Sequence, residues 1–210
     1  MVVTLSFVIL IISIIAHEVA HGYAADALGD PTARLAGRLT MNPLPHIDTM
    51  GSVIIPALLV LSHSTLLFGW AKPVPYNPYN LKNHRWGETI VALAGVATNL
   101  FLAVIFGLIV RFGANILSQE MLLIAFIISS TNLFLGLFNL IPFPPLDGFT
   151  ALRSALPWHL ASGLNRFEHH LRTTGVLSLI LFIFIFYYFL ATPFISLVSW
   201  TFGLIVGVRL

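Results

Sequence analysis

Two histidines and a glutamate stand at His17-Glu18-Val19-Ala20-His21, inside an apolar run that begins at Val2. Residues four apart on a helix share a face, so His17 and His21 can turn both imidazoles toward one metal ion with Glu18 beside them. The chemistry of that pattern is hydrolysis: a zinc ion with its own general base. The chain has no cysteine, so imidazole and carboxylate must hold any metal, and a third ligand has to be His, Asp or Glu. Asp147 is the candidate. It follows Phe138-Asn139-Leu140-Ile141-Pro142-Phe143-Pro144-Pro145-Leu146, where prolines stop a helix, and Gly148 lets the backbone turn so that the carboxylate can face inward. Two imidazoles and one carboxylate leave a fourth tetrahedral position for water, the arrangement of a hydrolytic rather than a structural zinc. Asp147 could instead cap a helix starting at Phe149; Asp26, the best substitute, lies on another side of the first helix.

These residues must be positioned by membrane helices. Of the 210 residues 58% are hydrophobic and only 9% charged, and the mean hydropathy is +0.94, far from a soluble domain. Two imidazoles and a carboxylate at membrane depth are costly, and for that reason mark function. The net charge is +2 with scattered basic residues, so no stripe exists to neutralise a phosphate backbone and nucleic acid is not a partner. The opening stretch lacks the basic start of a signal peptide and reads as a retained transmembrane helix.

Residues from about Val3 to Leu28 form the first span, ended by Gly29-Asp30-Pro31. Further spans run from about Trp86 to Phe112 and Glu120 to Ile141, and a closing hairpin, Thr174 to Ala191 and Phe194 to Val208, is divided at Thr192-Pro193. Ala36 to Pro45 and Gly69 to Asn77 read as short extended strands, the second confined to an edge by Pro73, Pro75 and Pro78. Phe149 to Leu171 reads as an interfacial amphipathic stretch. The fold class is therefore an all-α polytopic membrane protein, with about five transmembrane helices, a re-entrant segment and short extended strands near the site. One domain covers 1–210, with a core over 1–150 and a C-terminal part over 151–210.

Gly51 to Phe68 is the re-entrant segment. If it crossed the membrane, Asp147 would emerge opposite His17 and His21; if it dips in and returns, all three meet on one face. The basic residues agree. With a re-entrant segment, Arg111 alone of the ten Lys and Arg residues lies away from the face that carries the site. That face is cytoplasmic by the positive-inside bias, with the N-terminus outside and the C-terminus inside. His46 and Asp48 sit among turn residues and read as loop hydrogen bonders, His63 as polar lining of the re-entrant stretch, and His169 and His170 as groups at a wet interface. Phe182 to Phe189 reads as lipid-facing or packed aromatic surface.

The chain resembles the site-2 proteases, intramembrane zinc metalloproteases. The resemblance runs from His17-Glu18-Val19-Ala20-His21 through Gly69-Trp70-Ala71-Lys72-Pro73-Val74-Pro75 and Ala94-Gly95-Val96-Ala97-Thr98-Asn99 to Asn139 and Leu146-Asp147-Gly148. It implies the compact form without PDZ or CBS domains, with His17, His21 and Asp147 as zinc ligands, Glu18 as catalytic base, and Asn139 holding the substrate or the developing oxyanion. Val96 departs from the pattern, since family members often carry proline there.

The expected function is an intramembrane zinc endopeptidase acting on transmembrane protein substrates within the lipid bilayer, multi-pass in the plasma membrane, with its site near the cytoplasmic face. A substrate helix must unwind to expose its carbonyls; the extended pieces Arg38 to Asn42 and Trp70 to Asn77 would offer an edge on which it docks. The alternative is a non-catalytic zinc-binding or transport protein. Glu18 separates the two, because binding needs only ligands whereas hydrolysis needs a base.

Overall fold

A computed structural model describes residues 2–61 and 71–207. Nine α-helices follow one another among these residues: α1 (Val2–Ala27), α2 (Thr32–Leu35), α3 (Ile55–Leu61), α4 (Gly87–Gly113), α5 (Gln119–Asn139), α6 (Asp147–Ala155), α7 (Trp158–Thr174), α8 (Val176–Ile185) and α9 (Ala191–Val206). The apolar runs become helices because no water is available in hydrocarbon to satisfy an open backbone. Four helical segments are long and apolar enough to span: α1, α4, α5 and the stretch Leu181–Val206.

Local chemistry sets the ends. Gly29 takes a left-handed φ of 105° after α1; its N–H reaches the Asp26 carbonyl and the Asp30 N–H reaches Ala25, a Schellman closure. The Ser118 hydroxyl caps α5 by accepting from the Met121 N–H, with Glu120 in the first turn.

α4 packs along α1 in the opposite direction, since His21 near the end of α1 lies beside Val91 near the start of α4. The chain between them therefore leaves and returns at one end of the bundle, where the Lys82 N–H donates to the Leu28 carbonyl. This agrees with the topology required above. The second part of the re-entrant stretch, 62–68, falls outside the described residues, as do His63, Gly69 and Trp70; its first part is a π-type turn, Thr49–Ile54, leading into α3. At the other end Ala103, Leu133 and Phe202 pack α4, α5 and α9 together. Large apolar side chains such as Phe101, Phe112 and Trp200 cover the outside, as a lipid-facing surface requires.

Three expectations are corrected. The closing hairpin is one helical run from Val176 to Val206, with a π turn at Phe186–Leu190. Pro193 does not break it; it falls directly after the π turn, where the Ala191 N–H reaches back five residues to the Phe186 carbonyl rather than four. As a result Gly207 reaches Arg111 at the far end of α4, and the last described residue lies on the face opposite His21 rather than on the same face. Finally, no strand pairing forms among the described residues. From Ala71 to Asn77 the chain is irregular, and three of its N–H groups turn inward: that of Lys72 on the His46 carbonyl, that of Val74 on Glu18, and that of Asn77 on Asp30. Arg38, itself buried, donates to the Lys72 and Pro73 carbonyls.

Candidate metal centre

α1 presents His17 and His21 on one face, both buried, and α6 brings Asp147 against them. The His17 and His21 Nε2 atoms are 3.0 Å apart, and Asp147 Oδ2 lies 2.9 Å from the first and 3.3 Å from the second. The tautomer of His21 follows from its other nitrogen. Nδ1 lies 2.7 Å from the Val91 carbonyl, which can only accept, so Nδ1 carries the proton and the Nε2 lone pair faces His17 and Asp147. The His21 lone pair and the Asp147 carboxylate converge with His17 Nε2, a donor set that a cation among them would satisfy. A tetrahedral zinc with bonds near 2.0–2.1 Å spaces its ligand atoms about 3.3 Å apart. The three donors fit that ion.

Two glycines make the convergence possible. A Cβ on Gly95 would stand 2.6 Å from His21 Cε1 and 2.7 Å from His17 Cε1, so the rings occupy the cradle left by its missing side chain. A Cβ on Gly148 would meet the Leu140 carbonyl at 2.1 Å. The role of Gly148 is thus close approach of α6 to the end of α5, not the turn expected of it. That contact delivers Asp147 and Asn139 to the same cavity.

The cavity measures about 320 Å³ and is lined by His17, Glu18, His21, Asn139 and Asp147, with Val74 and Tyr76 across from them. Glu18 lines the cavity with the imidazoles, and its Oε2 accepts the Val74 N–H at 2.9 Å. The Asn139 amide donates to the Leu135 carbonyl, one turn back on α5, and keeps its second N–H. Tyr76 stays a neutral phenol: burial pushes it up, and the charge of Glu88 pushes it further.

The remaining candidates lie elsewhere. His46 donates from Nε2 to the Thr40 carbonyl and Asp48 caps the turn at Gly51, both loop roles. Asp26 pairs with Arg34, and His169 and His170 are exposed on α7. Sequence reasoning missed Asp30, whose buried carboxylate gathers Thr32, Asn77 and Asn80 and so fastens the segment that carries Val74. It also missed Arg153, held between Glu88 and Glu168 behind the site. Their signal was only the presence of isolated charges near a membrane.

The sequence profile of Peptidase family M50 matches residues 107–183, a stretch that includes Asn139 and Asp147. YwhC of Bacillus subtilis (strain 168), provisionally named a zinc metalloprotease, is 37% identical over 201 residues, 91% of this chain and 82% of its own length. Rip2 of Mycolicibacterium smegmatis, provisionally named likewise, is 34% identical over 149 residues, 70% of this chain. Rip2 of Mycobacterium tuberculosis (strain H37Rv) is 28% identical over 151 residues, again 70% of the chain. The chain spans about 55% of the length of either Rip2 protein. No solved structure matches it.

Proposed function

The chain belongs to peptidase family M50, the site-2 proteases, and from that premise we propose that it is a zinc endopeptidase cutting peptide bonds in or beside transmembrane segments of other proteins. The observation that carries this reading is the convergence of His17 Nε2, His21 Nε2 and Asp147 Oδ2 beside a carboxylate that is not one of the three. His17, His21 and Asp147 would hold the zinc. Bound there, the ion lowers the pKa of water toward neutrality and polarises a carbonyl. Glu18 takes the proton of the attacking water and passes it to the leaving amine. The Val74 N–H holds one oxygen of Glu18 and leaves the other to meet the water. The free N–H of Asn139 is available to the substrate carbonyl oxygen as negative charge develops on it.

The site end of the bundle carries Lys72, Lys82, Arg85 and Arg153, while Arg111 lies at the other end. That asymmetry supports a multi-pass membrane protein with its centre near the cytoplasmic face, and we place it in the plasma membrane. The described chain acts as one domain, because the ligands come from both α1 and α6.

The test compares purified wild type with Glu18→Gln for zinc content and for cleavage of a panel of single-span membrane proteins. Wild type should hold one zinc and cleave, a chelator should stop cleavage, and zinc should restore it; Glu18→Gln should keep zinc and lose cleavage. His17→Ala and Asp147→Ala should lose both. Zinc binding with cleavage that does not depend on Glu18 would contradict the assignment.

A further inference from the structure

Behind the metal centre, away from the cavity, a second group of polar side chains is enclosed by α1, α4 and α5. Ser13, Asn99 and Asn132 are buried, Asn99 and Asn132 completely. Asn132 donates its amide to the Ser13 hydroxyl at 2.9 Å and to the Ile128 carbonyl at 2.9 Å, which leaves its Oδ1 without a partner. Neither Oδ1 nor Nδ2 of Asn99 has one, and neither does Nδ1 of His17.

The helical spacing gathers these atoms. Ser13 lies one turn from His17 on α1, Asn99 one turn from Gly95 on α4, and Asn132 one turn from Gly136 on α5. Gly95 faces the His17 ring, and a Cβ on Gly136 would lie 3.5 Å from that of Asn99. Side chains on a helix lean toward its N-terminus, so Asn99 leans back toward Gly95 and the ring of His17. If His17 is to give its Nε2 lone pair to a metal, its proton sits on Nδ1 and needs an acceptor. Nothing in hydrocarbon can supply one.

We propose that Ser13, Asn99 and Asn132 enclose an internal water-binding site that accepts the His17 Nδ1 proton, making Asn99 the positioning residue for that imidazole. The donors and acceptors match. Water accepts from His17 Nδ1–H and from the Asn99 amide and donates to Asn132 Oδ1, within the two to four hydrogen bonds an enclosed water usually makes. Two asparagines that merely joined helices would bond each other or a backbone carbonyl directly, as Ser129 does with Ala103.

The inference rests on His17 being a zinc ligand, and His17→Ala retaining zinc would remove that premise separately. The experiment measures zinc affinity by competition with a chromophoric chelator, the visible spectrum of the cobalt-substituted protein, and the thermal midpoint of the metal-free protein, for Asn99→Leu, Asn99→Ser and Asn132→Leu. Zinc affinity should fall roughly 10–100-fold in Asn99→Leu, with an altered cobalt spectrum and no loss of metal-free stability. It should also fall in Asn132→Leu. Asn99→Ser, whose shorter hydroxyl leaves room for another water, should recover most of it. Wild-type affinity in Asn99→Leu would overturn the proposal; so would equal loss in the Leu and Ser variants accompanied by lower metal-free stability. Should Asn99→Leu not fold, Asn99→Ala against Asn99→Ser makes the same distinction, and equal affinities for those two would refute it.

Discussion

Gly95→Ala tests the cradle with a single methyl group. That methyl would stand 2.6 Å from Cε1 and Nε2 of His21 and 2.7 Å from Cε1 of His17. Ordinary contact begins at 3.4 Å, so rings and helix must separate by about 0.8 Å. Metal sites tolerate about 0.2 Å in their ligand distances. Neither way of moving is free. Shifting the rings spoils the convergence with Asp147, and backing α4 away pulls the Val91 carbonyl from His21 Nδ1, because Val91 and Gly95 are on the same helix. Overpacking of this kind costs about 1–3 kcal/mol, and about 1.4 kcal/mol is tenfold in affinity. Zinc affinity should therefore fall roughly 10–100-fold. Chelator competition in detergent measures it. Gly163→Ala is the control: nothing lies within 4 Å of the added methyl, inside α7. It should leave zinc affinity unchanged and raise stability by about 0.5–1 kcal/mol. Wild-type zinc affinity in Gly95→Ala would refute the argument.

Val74→Pro removes the N–H that holds Glu18 while leaving the metal ligands intact. A hydrogen bond to a charged group is worth about 1.5–3 kcal/mol, so cleavage should slow roughly 10–100-fold at unchanged zinc content; an unchanged rate would remove Val74 from the mechanism. Asp30 makes stability depend on pH. Burial pushes its carboxyl up, but hydrogen bonds from Thr32, Asn77 and Asn80 outweigh that and hold it below its ordinary value of 3.8. The folded protein thus binds fewer protons than the unfolded one in this range, and stability present above that value is lost as pH falls through the depressed pKa. Thermal midpoints measured from pH 6 down to 3 should show the loss, and Asp30→Asn should flatten the slope while costing about 1–3 kcal/mol at neutral pH. A slope that persists in Asp30→Asn would assign it to another group.

Periodicity and ligand chemistry can be read one residue at a time, which is why much of the site was legible. The spacing of His17 and His21, the missing cysteine and the proline-broken end before Asp147 singled out the residues that the fold brings together. The helices α1, α4 and α5 were legible for the same reason, since apolar length alone separates a span from a loop. Pro193 misled, because its effect depends on where in a helix it falls, and that depends on the π turn before it. The strand reading of 71–77 failed on partners: Arg38, His46, Glu18 and Asp30 claim that backbone from distant parts of the chain.

The sequence by itself determined the membrane class and singled out His17, Glu18, His21 and Asp147 as candidates, because residue type and helical spacing are local properties. Only the tertiary structure decided that the Val91 carbonyl sets the tautomer of His21, that Gly95 and Gly148 work by absence of a side chain, and that Val74 grips Glu18. Each of these is a backbone group or an empty volume facing a partner far along the chain, and neither a carbonyl nor a missing methyl has a signature until the helices pack.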